Sequence, residues 1–380
     1  MIGGHGGNIY DMARRLGCLT TDIIDMSSNM NPLGPPPGLL DYLADNTMTA
    51  ATQLPEVDSS EMTRSFAAYL GVDTHHILAG NGTTQFIYSI PRVLETRKAL
   101  IVGPTYSDYA DACNLSHVNS SVVTASESVD FRPDLGRLQN NLGSADTIFM
   151  CNPNNPTGSL IPQFELRAFC RSHPQKRFII DESYLPFVND GDRVSMINSG
   201  LENVIVLLSI SKIFAIPGLR IGFVVTTANM IEKFRQYLLP WSVNGFAHKA
   251  VHYLTARKHF INTFIHKTRK YIKVQREEFG KVIRNIYKIK PYPSSLPYFL
   301  VRMPPWISAD SVCTDLANDR ILIRNCSNFK GLSDRFIRIS LKAPQTNRML
   351  AEKLVAIIEN YADFNQRLQK NKQHVPNGLV

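Results

Sequence analysis

The sequence predicts an α/β fold with a large domain on a mostly parallel sheet and a smaller α/β domain on the C-terminal side. Three observations lead there. Its 380 residues exceed what one core ordinarily serves, since single cores stop growing near ~250–300 residues. The middle of the chain alternates short β-rich runs with longer helical patterns, the arrangement that puts helices on both faces of a parallel sheet. Several of those runs end directly in polar or glycine-bearing loops, and such strand ends are where ligands bind in open α/β sheets.

Taken in order, Asn31-Pro32-Leu33-Gly34-Pro35-Pro36-Pro37-Gly38 is neither helix nor central strand, because proline fixes φ and removes donors; it predicts an extended arm. Strands are expected at Ala99–Val102, Ser121–Thr124, Thr147–Cys151, Arg177–Ile180, Val204–Leu208 and Ile221–Val225. From about Asn244 the pattern is helical through Arg284 and leads into a second domain. Strands at Tyr298–Val301, Ile321–Arg324 and Phe336–Leu341 follow, then a helix from about Gln345 to Tyr361. The expected division is an N-terminal arm with part of the small domain (1–50), a large ligand-binding domain (51–262), a small C-terminal domain (263–362) and a polar tail (363–380) that frays by default.

Composition narrows the function. A hydrophobic fraction of 44% and a charged fraction of 19% are ordinary for a soluble globular chain, and apolar stretches such as Val204–Leu208 are too short to span a bilayer. Met1 to Asn8 has neither a basic nor an apolar leader segment, so a cytoplasmic protein is expected. The six cysteines are scattered without a C-x-x-C pair, which fits reduced thiols. Much of the net charge of +9 falls between Arg257 and Lys290 as the solvated face of an amphipathic helix, so no nucleic-acid partner is expected. His248 and His252 stand at i, i+4, but Lys249-Ala250-Val251 lacks the glutamate of a metalloprotease motif, and no metal is expected.

Four motifs carry chemistry in company that each would lack alone. Leu207-Leu208-Ser209-Ile210-Ser211-Lys212 puts a lysine past a buried strand, followed by Pro217-Gly218-Leu219-Arg220. Such a lysine is ordinarily a snorkelling surface residue, yet near a low-dielectric strand end it can act as an imine-forming nucleophile, with Ser209, Ser211 and Arg220 holding a phosphate. Phe178-Ile179-Ile180 runs into Asp181-Glu182-Ser183-Tyr184, where Asp181 is either a helix cap or salt bridge, or the partner of a protonated cofactor ring nitrogen. Asn152-Pro153-Asn154-Asn155-Pro156-Thr157-Gly158 is mostly turn chemistry, but Asn155 could donate to a cofactor's phenolic oxygen. Gly80-Asn81-Gly82-Thr83-Thr84 opens a helix whose first N–H groups suit an anion.

In combination these residues resemble the pyridoxal-5′-phosphate (PLP)-dependent fold type I enzymes of the class I/II aminotransferase family over nearly the whole chain. The resemblance implies that Lys212 carries PLP, that Asp181 pairs with the pyridine nitrogen, and that Asn155 and Tyr184 reach the ring oxygen. Gly82, Thr83, Thr84, Ser209, Ser211 and Arg220 match the phosphate cup, and Tyr106 the aromatic that stacks on the ring. Arg338 matches the arginine that grips a substrate carboxylate; without the resemblance it is a solvated strand residue.

His5-Gly6-Gly7-Asn8, Asp25 to Gly34, Phe214 to Arg220, Pro240 to Asn244 and Ile321 to Cys326 resemble the branch that decarboxylates a small phosphorylated amino acid more than the branch that transaminates histidinol phosphate. A two-anion substrate would be held by Arg324 and Arg338, with His5 and Asn31 closing over it. The family also implies a homodimer. Two positions depart from its pattern: Leu54-Pro55 stands where relatives often carry Tyr-Pro, and Gln85 where glutamate is common.

Overall fold

The computed structural model describes residues 6–373, apart from the side chains of residues 192, 193 and 366–373. It resolves into two compact units, one of residues 30–272 and 293–297, the other of residues 6–29, 273–292 and 298–373. The division therefore falls at 272/273 instead of 262/263, and residues 30–50 belong to the large unit.

In the large unit β1 (Ile77–Gly80), β2 (Lys98–Gly103), β3 (Asn119–Thr124), β4 (Thr147–Cys151), β5 (Arg177–Asp181), β6 (Val204–Ser209) and β7 (Gly222–Val225) form one sheet in the order β1-β7-β6-β5-β4-β2-β3. Strands β2 to β6 pair in parallel, whereas β7 is antiparallel to both β1 and β6. Consequently β1, β2, β4, β5 and β6 all end at the edge where β7 begins.

These strands are nearly unbroken apolar runs because both faces are covered. One face carries Ile101, Phe149, Ile179, Ile205 and Val224, packed with Phe86, Ile87 and Ile90 of the helix Gly82–Val93 and with Tyr109 and Phe234. The alternate residues Leu100, Ile148, Phe178, Ile180 and Val206 are buried on the other face. By the same alternation Asp181 belongs to the face of Ile179, and Glu182 to the opposite one.

The six strands expected here all form, each within two residues of its expected bounds. β1 was not expected; four residues between a tight turn and a glycine loop are too few to display a period. The helical stretch after Asn244 is two helices, Gly245–Ala256 and Lys258–Arg284, because Arg257 leaves helical geometry (φ −119°, ψ 37°). Asn244 caps the first by accepting from the Ala247 N–H at 3.0 Å.

The second unit is built on a four-stranded antiparallel sheet of β8 (Lys290–Pro291), β9 (Tyr298–Arg302), β10 (Arg324–Asn325) and β11 (Phe336–Ser340), in the order β10-β11-β9-β8. Its core joins Phe299, Val301, Ile337 and Ile339 to Phe279 and Ile283 and to Leu350, Leu354 and Ile358. The single strand expected over Ile321–Arg324 is divided: Ile321–Leu322 pairs in parallel with Ile24–Asp25, and Arg324–Asn325 pairs with β11. The last helix runs over Pro344–Gln373, past the expected end at Tyr361 and into the segment expected to fray. Beyond Ile358 the apolar face fades, but Asn365-Gln366-Arg367-Leu368-Gln369-Lys370 has few helix breakers, so propensity alone extends the backbone pattern. Among the described residues no helix is long and apolar enough to cross a membrane.

Candidate active site

Register brings the chemistry-bearing loops together. Cys151 lies opposite Asp181, Asp181 opposite Leu207, and Gly222 opposite both Ser209 and Gly80, so four strand ends and the start of β7 share one edge. The loops leaving that edge enclose a cavity of about 160 Å³. Every cofactor-binding residue expected from the sequence lines it: Gly82, Thr83, Thr84, Tyr106, Asn155, Asp181, Tyr184, Ser209, Ser211, Lys212 and Arg220. Among the described residues no group of three or more His, Cys, Asp or Glu side chains could hold a metal ion.

One end of the cavity is an anion cradle. Gly82 has φ +74°, and a Cβ there would stand 2.7 Å from Arg220 Nη2, so only glycine lets the guanidinium approach the first turn of the helix Gly82–Val93. A Cβ on Gly222 would meet the Thr83 backbone nitrogen at 2.4 Å, which presses the start of β7 against that same turn. Ser211 donates to the Ile221 carbonyl at 3.3 Å, tying the lysine loop to this cradle. Gln85 accepts from the Asn81 N–H at 2.6 Å and thereby retains the acceptor that a glutamate would supply. The other departure is plain: Leu54 is 76% exposed.

The other end is aromatic and acidic. Asp181, 5% exposed, accepts from the Tyr109 hydroxyl at 2.8 Å on one oxygen and from the Ser183 N–H at 2.9 Å on the other. Burial pushes its carboxyl above the usual range, against the pull of Ser183, Tyr109 and the Lys212 charge. Tyr109 stacks on Phe149 with centroids 5.4 Å apart and meets Tyr106 edge-on at 5.8 Å. The adjacent asparagines divide the work. Asn154 is held by Thr105, Thr157 and the Pro104 carbonyl, each at 2.8 Å, whereas Asn155 lines the cavity.

Asn31, expected at the substrate, has a different part. Its Nδ2 donates to the Ile213 carbonyl at 2.7 Å and the Thr268 hydroxyl at 3.0 Å, its Oδ1 accepts from the Leu33 N–H at 2.9 Å, and its N–H donates to the Lys212 carbonyl at 3.0 Å. These bonds clamp the proline-rich arm to the lysine turn, and Asn31 is not among the residues that line the cavity. His5 lies outside the described residues.

Arg324 and Arg338 belong to the second unit, facing each other across β10 and β11. Arg338 is 4% exposed, contrary to the solvated strand residue its sequence context alone suggests. Its Nη2 donates to the Ser27 carbonyl at 2.5 Å, and Arg324 Nη2 donates to Asn328 at 2.8 Å. Asp25 shapes the turn that presents Ser27, accepting from the Ser27 N–H at 2.8 Å and hydroxyl at 2.7 Å. Gly6 packs over both arginines, since a Cβ there would stand 3.3 Å from Arg338 Nη2 and 3.4 Å from Arg324 Cδ. Burial first, and then the neighbouring Arg338 charge, lower the pKa of Arg324, against the pull of Cys326 and Cys313.

Behind the site, on the opposite face of the sheet, Glu182 accepts from the Met196 N–H at 2.7 Å and from the Ser195 hydroxyl. Burial drives its carboxyl up to about 8, against those two bonds and aided by the Asp181 charge. An unfolded glutamate ionises near pH ~4.3 while the folded one keeps its proton, so stability falls as pH rises through that window to about 8. Glu182→Gln removes this titration: the variant's stability should decline less from pH 5 to 8 than that of the unmodified chain, by roughly 3–5 kcal/mol across the window, with the remaining slope left to groups such as Asp181. Parallel pH profiles for the two proteins would contradict this.

Sequence reasoning did not single out Tyr109, Cys151 or Ser183 as cavity residues. The i, i+3 spacing of Tyr106 and Tyr109 was the available signal. The donor set fits PLP: a cradle of helix N–H groups, hydroxyls and guanidinium for a phosphate, a carboxylate for a ring nitrogen, an amide for a phenolic oxygen, and a lysine beside them.

This sheet order, the strand-end lysine and the opposed carboxylate define a PLP-dependent enzyme of fold type I. The aminotransferase class I and II family model matches residues 21–357, and the chain belongs to that family. A threonine-phosphate decarboxylase of Salmonella typhimurium is 30% identical over 352 residues, covering 91% of this chain and 94% of that protein. The adenosylcobalamin biosynthesis bifunctional protein CobDQ of Leptospira interrogans is 29% identical over 97% of this chain, which spans 42% of that protein's length. The crystal structure of a histidinol-phosphate aminotransferase from Clostridium acetobutylicum superposes with a TM-score of 0.81 at 26% identity, covering 89% of this chain and 100% of that one.

Proposed function

We propose that this chain decarboxylates O-phospho-L-threonine to aminopropanol O-phosphate, with O-phospho-L-serine as a second substrate giving ethanolamine phosphate, in the service of cobalamin biosynthesis. The observation that carries this reading is the arginine pair, Arg338 buried and Arg324 half-buried. Two guanidiniums on neighbouring strands, Arg338 almost wholly removed from water, suit a small molecule bearing both a carboxylate and a phosphate. The full-length similarity to the Salmonella decarboxylase supports the same choice.

PLP, when bound, withdraws the electron pair left on the substrate's Cα once the bond to the carboxylate breaks. The protein's residues do the rest. The cradle of Gly82, Thr83, Thr84, Ser209, Ser211 and Arg220 fixes the phosphate end, Asp181 holds the ring nitrogen's proton, and Asn155 and Tyr184 orient the ring oxygen. Tyr106 covers the ring. Lys212 would hold the cofactor, and its amine would carry a proton to Cα after carbon dioxide departs. Arg324 and Arg338 would bind the two anionic groups of the substrate. His5 belongs to the proposal on resemblance alone.

We further propose a homodimer in the cytoplasm. Leu54, Val57, Leu239 and Trp241 are exposed apolar side chains on adjoining segments, joined by a bond from the Trp241 N–H to the Val57 carbonyl at 2.9 Å, and a second copy would cover them. A fully active monomer in sedimentation contradicts it. The second reading, histidinol-phosphate transamination, is favoured by the superposition on the Clostridium enzyme. Product analysis separates the two. Carbon dioxide and a phosphorylated amino alcohol are expected from the PLP-loaded protein with phosphothreonine; glutamate formed from histidinol phosphate and 2-oxoglutarate, without carbon dioxide, would move the assignment to the aminotransferase.

A further inference from the structure

We infer that Tyr109 is a positioning residue for this site: its phenol holds Asp181 in the charged form and so keeps the proton of a bound pyridine ring on the ring nitrogen instead of on the carboxyl. The inference rests on the assignment of PLP to the Lys212 cavity.

Asp181 sits at the buried end of β5, where little water remains to stabilise a charge. Burial by itself favours the neutral acid. A neutral acid beside an unprotonated pyridine draws no electrons, so the position is useful only if something restores the charge. Hydrogen bonds on both oxygens oppose burial, from the Tyr109 hydroxyl on one and the Ser183 N–H on the other, with the Ser183 side chain and the Lys212 charge pulling the same way. The Ser183 N–H comes with the backbone turn after the strand. Tyr109 comes from the first turn of the helix Asp108–Leu115, through its side chain alone.

Three features suit that phenol to donate to Asp181, although it also lies in hydrogen-bonding contact with the Cys151 thiol. Its ring is fully buried and fixed by the stack on Phe149 and the edge contact with Tyr106. Burial, followed by the Asp181 charge, drives its own pKa well above the usual tyrosine value, so it keeps its proton throughout the working range. The thiol of Cys151, which also faces Asp181, is raised by burial and then by that carboxylate, and so stays neutral. Ser183, Tyr109 and Lys212 therefore act on Asp181 in one direction, toward the carboxylate. Hydrogen bonds to charged groups are the strong ones, and this one acts where the reaction needs its electrons withdrawn.

Tyr109→Phe removes one oxygen and keeps both ring contacts. The test loads the unmodified chain and the variant with PLP isotopically enriched at the ring nitrogen and reads that nitrogen's NMR resonance without substrate, together with the cofactor dissociation constant and steady-state kinetics. The unmodified enzyme is expected at the protonated position, and Tyr109→Phe displaced toward the unprotonated one. A kcat reduced about ten- to a hundredfold with KM changed less than about twofold should accompany it. Tyr109→His, which restores a donor, should recover part of the shift. An unchanged resonance in Tyr109→Phe overturns the inference alone, as does an unprotonated resonance in the unmodified holoenzyme, a reading that holds even if the variant fails to fold. An unmodified chain that takes up no PLP overturns the underlying assignment as well.

Discussion

Replacing Lys212 with alanine is expected to lower kcat by on the order of 10⁴-fold or more, while the protein folds as before. The size follows from what one amine does in two places. On the proposed reading it would hold the cofactor between turnovers and would move a proton at Cα during them. Loss of both roles leaves only the cradle and the orienting groups. Little stability is at risk, because the side chain lines a cavity and is not packed in the core, and the backbone bond from Asn31 to the Lys212 carbonyl is untouched. The variant should bind PLP without the absorbance of a covalently held cofactor, and a small primary amine added to the assay should restore part of the rate. Turnover within tenfold of the unmodified enzyme, by carbon dioxide release, would refute the catalytic reading.

Asp181→Asn is the second large effect. Asparagine fits the space and can keep a bond to the Ser183 N–H, but it carries no charge to hold a protonated ring nitrogen. Electrostatic groups aimed at developing charge in a dry site are worth about 10²–10³-fold each, and a loss of that order in kcat is expected. The cradle is a separate structure at the other end of the cavity, so phosphate anchoring persists and cofactor affinity should fall far less than the rate. Equal losses in affinity and kcat would show instead that Asp181 serves only to retain the cofactor.

Strand ends were legible because each apolar run stops at a polar residue: Cys151 to Asn152, Ile180 to Asp181, Leu208 to Ser209. Their convergence was not legible from any one motif. It follows from the antiparallel β7, whose first residue, Gly222, lies opposite the last residue of both β1 and β6. Tyr109 reads in sequence as another buried aromatic, since nothing local distinguishes a tyrosine that packs from one whose hydroxyl finds a carboxylate on a distant strand. Arg338 errs the other way. Alternation with Ile337 and Ile339 suggests an outward residue, but β11 is central in its sheet and covered on the face that carries Arg338. Asn31 shows a further limit: its residue type was right for recognition, and its bonds to Ile213, Thr268 and Leu33 commit it to holding the arm.

The central claim is that PLP is carried on Lys212. Borohydride reduction of the PLP-loaded protein, followed by proteolysis and mass analysis, tests it most directly: the account predicts the cofactor's mass on the peptide containing Lys212, and a label on any other lysine, or none, would contradict it.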